Sequence, residues 1–175
     1  PAGMNIPLMN RLIAEGRFTE ALHVVKEDIA LPYILGYICP APCEKACRRK
    51  QIDDAVSVCL LKRFSAAAGE DARAVEAAKN RMASGRKVAV IGAGPAGLAA
   101  AYYLLLQGHA CDVYDKSPEP GGTMRYSITE EDLPREVIGH ELVILRSMGA
   151  AFHCNFLVTE EVFHEKIRDR YDAVI

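Results

Sequence analysis

With 175 residues, half of them hydrophobic and a quarter charged, the chain has the composition of a globular protein of one medium or two small domains. Its net charge of −2 argues against a nucleic-acid partner, and no apolar run approaches the ~20 residues of a membrane span. No signal-peptide pattern opens the chain, and six cysteines are too sparse for a secreted disulfide scaffold of this length, which points to a reducing, cytoplasmic compartment. The chain opens on Pro1 and stops at Ile175 inside a strand-like run, so it reads as a piece of a longer protein.

Residues 1–68 read as a helical domain. Ile6, Leu8, Met9, Leu12 and Ile13 give a first helix that Gly16 breaks. Thr19 is placed to cap a second helix carrying Ala21, Leu22, Val24, Val25 and Ile29, with Pro32 as its stop. Leu31–Ile38 reads as irregular, and Pro42–Arg49 as one or two helical turns with the proline in the first turn. Asp53 or Asp54 caps a further helix whose apolar face is Val56, Cys59, Leu60 and Phe64. Residues 69–85, rich in Ala, Glu, Asp, Lys and Arg, read as a partly helical linker.

Within the helical domain, Cys39, Cys43 and Cys47 follow the spacing C-x₃-C-x₃-C. On a continuous helix Cys43 and Cys47 share one face, and Cys39, in extended chain before Pro40, can fold toward them. Such thiolates beside prolines suit an iron–sulfur cluster. Zinc is the competing metal, but no second Cys or His pair accompanies the group; three buried structural thiols are the remaining alternative. A 4Fe–4S cluster asks for four thiolates, so one ligand must come from elsewhere, upstream of Pro1 being the natural source. Cys59, on an apolar helix face, reads as a small core residue, as do Cys111 and Cys154 in strand patterns.

Residues 86–175 alternate strand and helix patterns, the signature of an α/β domain with a parallel sheet. The apolar run Val88–Ile91 ends in Gly92-Ala93-Gly94-Pro95-Ala96-Gly97, and a helix-forming run continues to Leu106. Strand, G-x-G-x-x-G turn and helix in this order form a dinucleotide fingerprint, with phosphates expected on the helix N-terminus. Gly92 turns the chain, Gly94 lets a pyrophosphate approach, and Gly97 lets the helix pack closely. After a stop at Gly108, a second strand over 110–115 ends in Asp115, 18 residues beyond Gly97. An acid there accepts from a ribose and repels a 2′-phosphate, which favours FAD or NAD over NADP. Pro118, Pro120, Gly121 and Gly122 form a turn-rich loop; Pro134 starts a helix that Gly149 stops; Ala151–Phe156 reads as a strand, Val162–Arg168 as a short helix and 171–175 as a last strand.

The segments Pro1–Pro7, Gly36–Cys47, Leu61–Phe64, Lys87–Gly97, Pro120–Gly122, Leu133–Pro134 and Asp172–Ile175 occur in the order seen in the small (beta) subunit of glutamate synthase. The chain resembles that family, and also the N-terminal part of dihydropyrimidine dehydrogenase. The resemblance implies a helical domain carrying 4Fe–4S clusters, truncated at its N-terminus, followed by a partial Rossmann-like FAD-binding domain. It assigns Cys39 and Cys43 to one cluster and Cys47 to another. Some relatives complete a cluster with Gln or Glu near the position of Lys62, which while protonated offers no lone pair. It implies that Gly92, Gly94, Pro95, Ala96 and Gly97 hold the FAD pyrophosphate, Asp115 the ribose, and Gly121, Gly122 and Arg125 the flavin side, with Met124 nearby. Ser127 stands where the family commonly has glycine.

The function so implied is that of an NAD(P)H-dependent flavin and iron–sulfur oxidoreductase passing electrons to a partner subunit or domain, such as a glutamate synthase large subunit. The protein's part in such chemistry is binding and tuning, so no catalytic side chain is named. The piece alone is expected to be inactive. The alternatives are a docking module without its own reaction and a zinc-stabilised NAD-binding dehydrogenase domain.

Overall fold

The computed structural model describes residues 3–69, 75, 76, 78 and 80–175. Its contacts divide the chain into two compact units, Pro1–Asp71 and Ala72–Ile175. The expected linker 69–85 lies partly outside the described residues.

The first unit is helical. Its elements are α1 (Ile6–Ala14), α2 (Phe18–Lys26), α3 (Pro32–Ile38), α4 (Pro42–Lys45), a 3₁₀ turn (Arg48–Gln51) and α5 (Val58–Ala68). The Asn5 side chain caps α1 by accepting from the Leu8 N–H at 3.1 Å. Three expectations are corrected here. Helix α2 starts at Phe18 with Arg17 at its N-cap, so Thr19 lies inside it. Pro32 does not end α2, which stops at Lys26; it opens α3 at the first helical position, where its missing N–H costs nothing, and Leu31–Ile38 is helical rather than irregular. Helix α5 begins after Ser57, while Asp53 is paired with Arg49 at 2.6 Å in the preceding turn. The core of the unit is Met9, Leu12, Ala21, Val24, Val25 and Val58.

The inward face of α5 also differs from expectation. Val58, Lys62, Ser65 and Ala66 are buried, whereas Leu60 and Phe64 are 61% and 44% exposed. Helix α3 decides this. It lies so close to α5 that a Cβ on Gly36 would stand 2.5 Å from the Arg63 Cβ, and the rotation this contact imposes turns Lys62 inward.

The second unit is α/β. Strands β1 (Lys87–Ile91), β2 (Ala110–Tyr114), β3 (Ala151–His153) and β4 (Ala173–Val174) form a parallel sheet in the order β3-β2-β1-β4. Helix α6 (Pro95–Leu106) crosses from β1 to β2; α7 (Thr123–Tyr126) and α8 (Arg135–Met148) lead to β3. The last crossover starts as α9 (Glu160–Val162) and continues through a π turn to a 3₁₀ turn ending at Arg170. The outer strands β3 and β4 are shorter than expected. Leu98, Ala101, Tyr102 and Leu105 of α6 are buried, as are Val137, Ile138, Leu142 and Leu145 of α8.

A polar network ties the strands together. The Asp112 carboxylate, buried in β2, receives Lys87 Nζ at 2.6 Å and a short hydrogen bond from the Tyr171 hydroxyl just before β4. The Tyr114 hydroxyl lies 2.6 Å from that of Tyr171. Burial pushes the Asp112 carboxyl up, but Lys87 and Tyr171 outweigh it and hold it below the usual carboxylate range. Burial, followed by the bonds to Asp112 and Tyr114, raises the Tyr171 hydroxyl. A depressed acid contributes stability above its unfolded value and loses it as pH falls through the folded value; a raised one contributes below its unfolded value and loses it as pH rises. Unfolding followed by circular dichroism against pH should therefore show Tyr171→Phe falling less steeply than wild type above pH ~10, and Asp112→Asn falling less steeply below pH ~4. Parallel pH profiles for wild type and both variants would contradict the network.

Candidate functional site

The glycine turn carries the first candidate site. Strand β1 ends at Ile91, and Gly92 turns away with φ +107, donating its N–H to the Tyr114 carbonyl at 2.7 Å. Gly94 is the N-cap of α6 and Pro95 its first residue, so Ala96 and Gly97 carry the amides the helix leaves unbonded. The glycines differ in what surrounds them. A Cβ at Gly97 would stand 1.9 Å from the Gly92 carbonyl oxygen, so only glycine lets α6 seat on the turn. A Cβ at Gly94 would meet nothing nearer than the Gly122 Cα at 4.0 Å, so its outer side is open.

The second glycine loop closes against the first. Gly121 donates its N–H to the Ala93 carbonyl at 2.8 Å, and a Cβ on Gly122 would stand 2.7 Å from the Gly94 Cα. Asp115, immediately after β2, links the same parts: one carboxylate oxygen accepts from the Ala93 N–H and the other from the Ser117 N–H, both at 2.7 Å. Each oxygen keeps a lone pair for a further donor. The carboxylate is thus a brace for the turn as well as the expected ribose acceptor. Arg125 is committed to its own loop, donating to the Pro120 carbonyl at 2.8 Å and pairing with Glu119 at 2.5 Å. Between the loops lies a cleft of about 440 Å³ lined by Ile91, Gly92, Tyr114, Asp115, Lys116, Ser117, Gly122, Thr123, Tyr126, Ser127 and others. That volume suits part of a dinucleotide. The brace role of Asp115 was not visible from the sequence; its position directly after the second strand was.

The cysteines form the second candidate site. Helix α4 ends at Lys45, and Cys47 sits in extended backbone, so Cys43 and Cys47 do not share the face of one helix as expected. Ala41, between two prolines, adopts φ +48, a left-handed conformation costly for a residue with a Cβ, as the chain turns from Cys39 to Cys43. Cys43 packs on the apolar core of the unit. The Cys47 thiol is held below its ordinary value, chiefly by the backbone amides of Val56 and Arg49. Cys39 lies instead beside Cys59, its side chain hydrogen-bonded to the Cys59 thiol, which burial pushes up to about 11. Among the described residues no three His, Cys, Asp or Glu side chains converge on a single metal-ion position. The donor chemistry still fits a cluster: half-buried free thiols on short turns, one of them already favoured as thiolate by amide hydrogen bonds. Glu44, which sequence reasoning passed over, supplies the cap that Ser57 does not, its Oε1 accepting from the Cys59 N–H at 2.7 Å.

Comparison with known proteins agrees with this division. Residues 1–74 match the family described as dihydropyrimidine dehydrogenase domain II, 4Fe–4S cluster. Residues 90–153 match the family described as NAD(P)-binding Rossmann-like domain. Over 99% of its length the chain is 36% identical to the NADPH-Fe(3+) oxidoreductase subunit beta of Geobacter sulfurreducens (strain DL-1 / KN400), covering 26% of that protein. It is 32% identical to the NADP(+)-dependent formate dehydrogenase subunit beta of Moorella thermoacetica over 99% of the chain and 28% of that protein. Over its whole length it is 34% identical to the glutamate synthase (NADPH) small chain of Mycobacterium tuberculosis (strain CDC 1551 / Oshkosh), covering 36% of it. The resemblance read from the ordered motifs therefore extends across the chain, which spans about a quarter to a third of the length of these curated relatives. No helix among the described residues is long and apolar enough to cross a membrane.

The unequal surroundings of two glycines are open to test. Gly97→Ala should lower stability by about 2 kcal/mol or more in urea unfolding, because backbone lies in the way of the methyl group, whereas Gly94→Ala should change it by less than about 1 kcal/mol. Equal effects of the two substitutions would contradict the packing described.

Proposed function

We propose that the chain is the cluster-bearing and FAD-binding part of an NAD(P)H-dependent oxidoreductase of the glutamate synthase small-subunit type, which passes electrons to a partner subunit or domain. The observation that carries this reading is the glycine turn at the end of β1, where Gly94 is open on its outer side and Ala96 and Gly97 leave their amides unbonded, next to a cleft lined by Gly92, Asp115 and Gly122. An anionic pyrophosphate is favoured there by the amides and by the positive end of α6. Asp115, with a lone pair left on each oxygen, accepts from a ribose, and its charge disfavours a 2′-phosphate. FAD is therefore assigned to this turn, and NAD(P)H to another part of the whole protein. Gly122 continues the cleft toward the flavin side, while Arg125 holds the loop of Gly121 and Gly122 in place.

When bound, the flavin supplies the exchange between hydride and single-electron chemistry that lets a nicotinamide feed an iron–sulfur path. The chain's own residues bind and orient. Cys39 and Cys43 are assigned to one cluster and Cys47 to a second, each completed by ligands from elsewhere. The divergence of Cys47 from Cys39 supports that division, since each thiol then serves its own cluster. Relatives named as beta subunits and small chains support a larger partner, and thiol ligands that must stay reduced support a cytoplasmic setting.

The whole protein, purified without oxygen, should show flavin absorption peaks above a broad iron–sulfur shoulder. Gly94→Val, which places bulk on the open side of the turn, should lower flavin retention about tenfold or more while iron content and apoprotein melting temperature hold. A protein that stays colourless after reconstitution with FAD, iron and sulfide would overturn the assignment.

A further inference from the structure

We propose that Cys59 is a ligand of the cluster assigned to Cys39 and Cys43, and that Lys62 stands beside it as a fixed positive charge. The inference rests on the iron–sulfur reading above and goes beyond it by naming a ligand outside the C-x₃-C-x₃-C group. Close packing of α3 on α5 at Gly36 and Arg63 brings the end of α3 against the first turn of α5. The Cys59 Sγ lies 4.0 Å from the carbonyl oxygens of both Leu35 and Cys39, and the Cys39 side chain hydrogen-bonds the Cys59 thiol. Glu44, one residue beyond Cys43, fixes the backbone of Cys59 through its N–H at 2.7 Å. Cys59 is thus tied to Cys39 directly and to the residue after Cys43 by contacts that do not involve a metal.

Lys62 gives the second, independent observation. It is only 4% exposed, one turn beyond Cys59 on the same face of α5, and its Nζ is directed at the Cys59 Sγ at 4.0 Å. A buried ammonium needs a compensating negative charge, and here its Nζ is directed at the Cys59 sulfur, beside which the Glu44 carboxylate also lies. An ammonium has no lone pair and cannot ligate iron, but it favours an anionic thiolate–cluster assembly next to it. Cys59 is half-buried, unlike the core residue Cys111. Ligation exchanges the Cys59 S–H bond for an S–Fe bond and releases the proton to solvent, with no change of oxidation state at sulfur.

The test uses the whole protein, isolated without oxygen, and has two parts. The first is alkylation with iodoacetamide followed by peptide mass spectrometry, which avoids any substitution. Cys59 should be protected with Cys39 and Cys43 while the cluster is present, and modified with them after iron is removed by chelation. Alkylation of Cys59 in the loaded protein while Cys39 stays protected would overturn the proposal. The second is electron paramagnetic resonance of the oxidised protein. Cys59→Ala should lose about one iron of four and give the signal of a three-iron cluster, and Lys62→Gln added to Cys59→Ala should restore the silent four-iron state through the glutamine oxygen. Cys39→Ala separates the two levels of inference. If it leaves iron content and spectrum unchanged, the iron–sulfur reading fails. If it removes the cluster while Cys59→Ala keeps all its iron, that reading stands and Cys59 is not a ligand.

Discussion

The second unit depends on one contact between backbones, the seating of α6 on the turn at Gly92. The 1.9 Å that would separate a Gly97 Cβ from the Gly92 carbonyl oxygen means that any side chain there would push the helix off the end of β1. With glycine, the first turn of α6 stays beside the strand end, and the amides of Ala96 and Gly97 stay at the turn. Asp115 fixes the other wall through Ala93 and Ser117, and the hydrogen bond from Gly121 to Ala93 brings in the second loop. The start of α6, Asp115 and the loop at Gly121 are thereby held against one tight turn. A cofactor phosphate would meet a site already organised, with little ordering left to offset binding.

Helix α5 has the corresponding place in the first unit. Its Val58 completes the core formed by α1 and α2, and its next turns pack under α3. The helix has no side-chain cap of its own and takes one from Glu44 on α4. Fixing α5 therefore also fixes the turn between Cys39 and Cys47. The same arrangement accounts for a buried lysine in a small domain, a group expensive to remove from water unless charge compensation is built in. Lys62 is inward because α3 sets the rotation of α5, and its ammonium ends against sulfur.

Glycine, proline and strand periodicity made most of the α/β unit legible. The turn at Gly92, the helix after Pro95, the strand ending before Asp115 and the stop at Gly149 follow from local backbone chemistry that needs no tertiary partner to be read. The helical unit was less legible where the deciding partner lies elsewhere in the chain. Leu60 and Phe64 match a 3.6-residue period with Val56 as well as the true inward set does, and only the contact at Gly36 tells the two faces apart. Pro32 carries the same local meaning as a helix stop or a helix start, and it is the fold that selects the start. Arg125 fits a cofactor contact by position, yet its guanidinium is taken up by Pro120 and Glu119, a pairing no spacing rule reveals.

The cysteine group shows how spacing and geometry can part company while the chemistry stays coherent. C-x₃-C-x₃-C suggests one helix and one converging set, but α4 lasts barely a turn and the chain leaves it extended at Cys47. Two different environments result. Cys47 is surrounded by backbone amides, which favour its thiolate without a neighbouring cation being the main cause. Cys39 lies instead with Cys59 at the C-terminal end of α3, where the Lys62 Nζ approaches the Cys59 Sγ but burial outweighs it and raises that thiol.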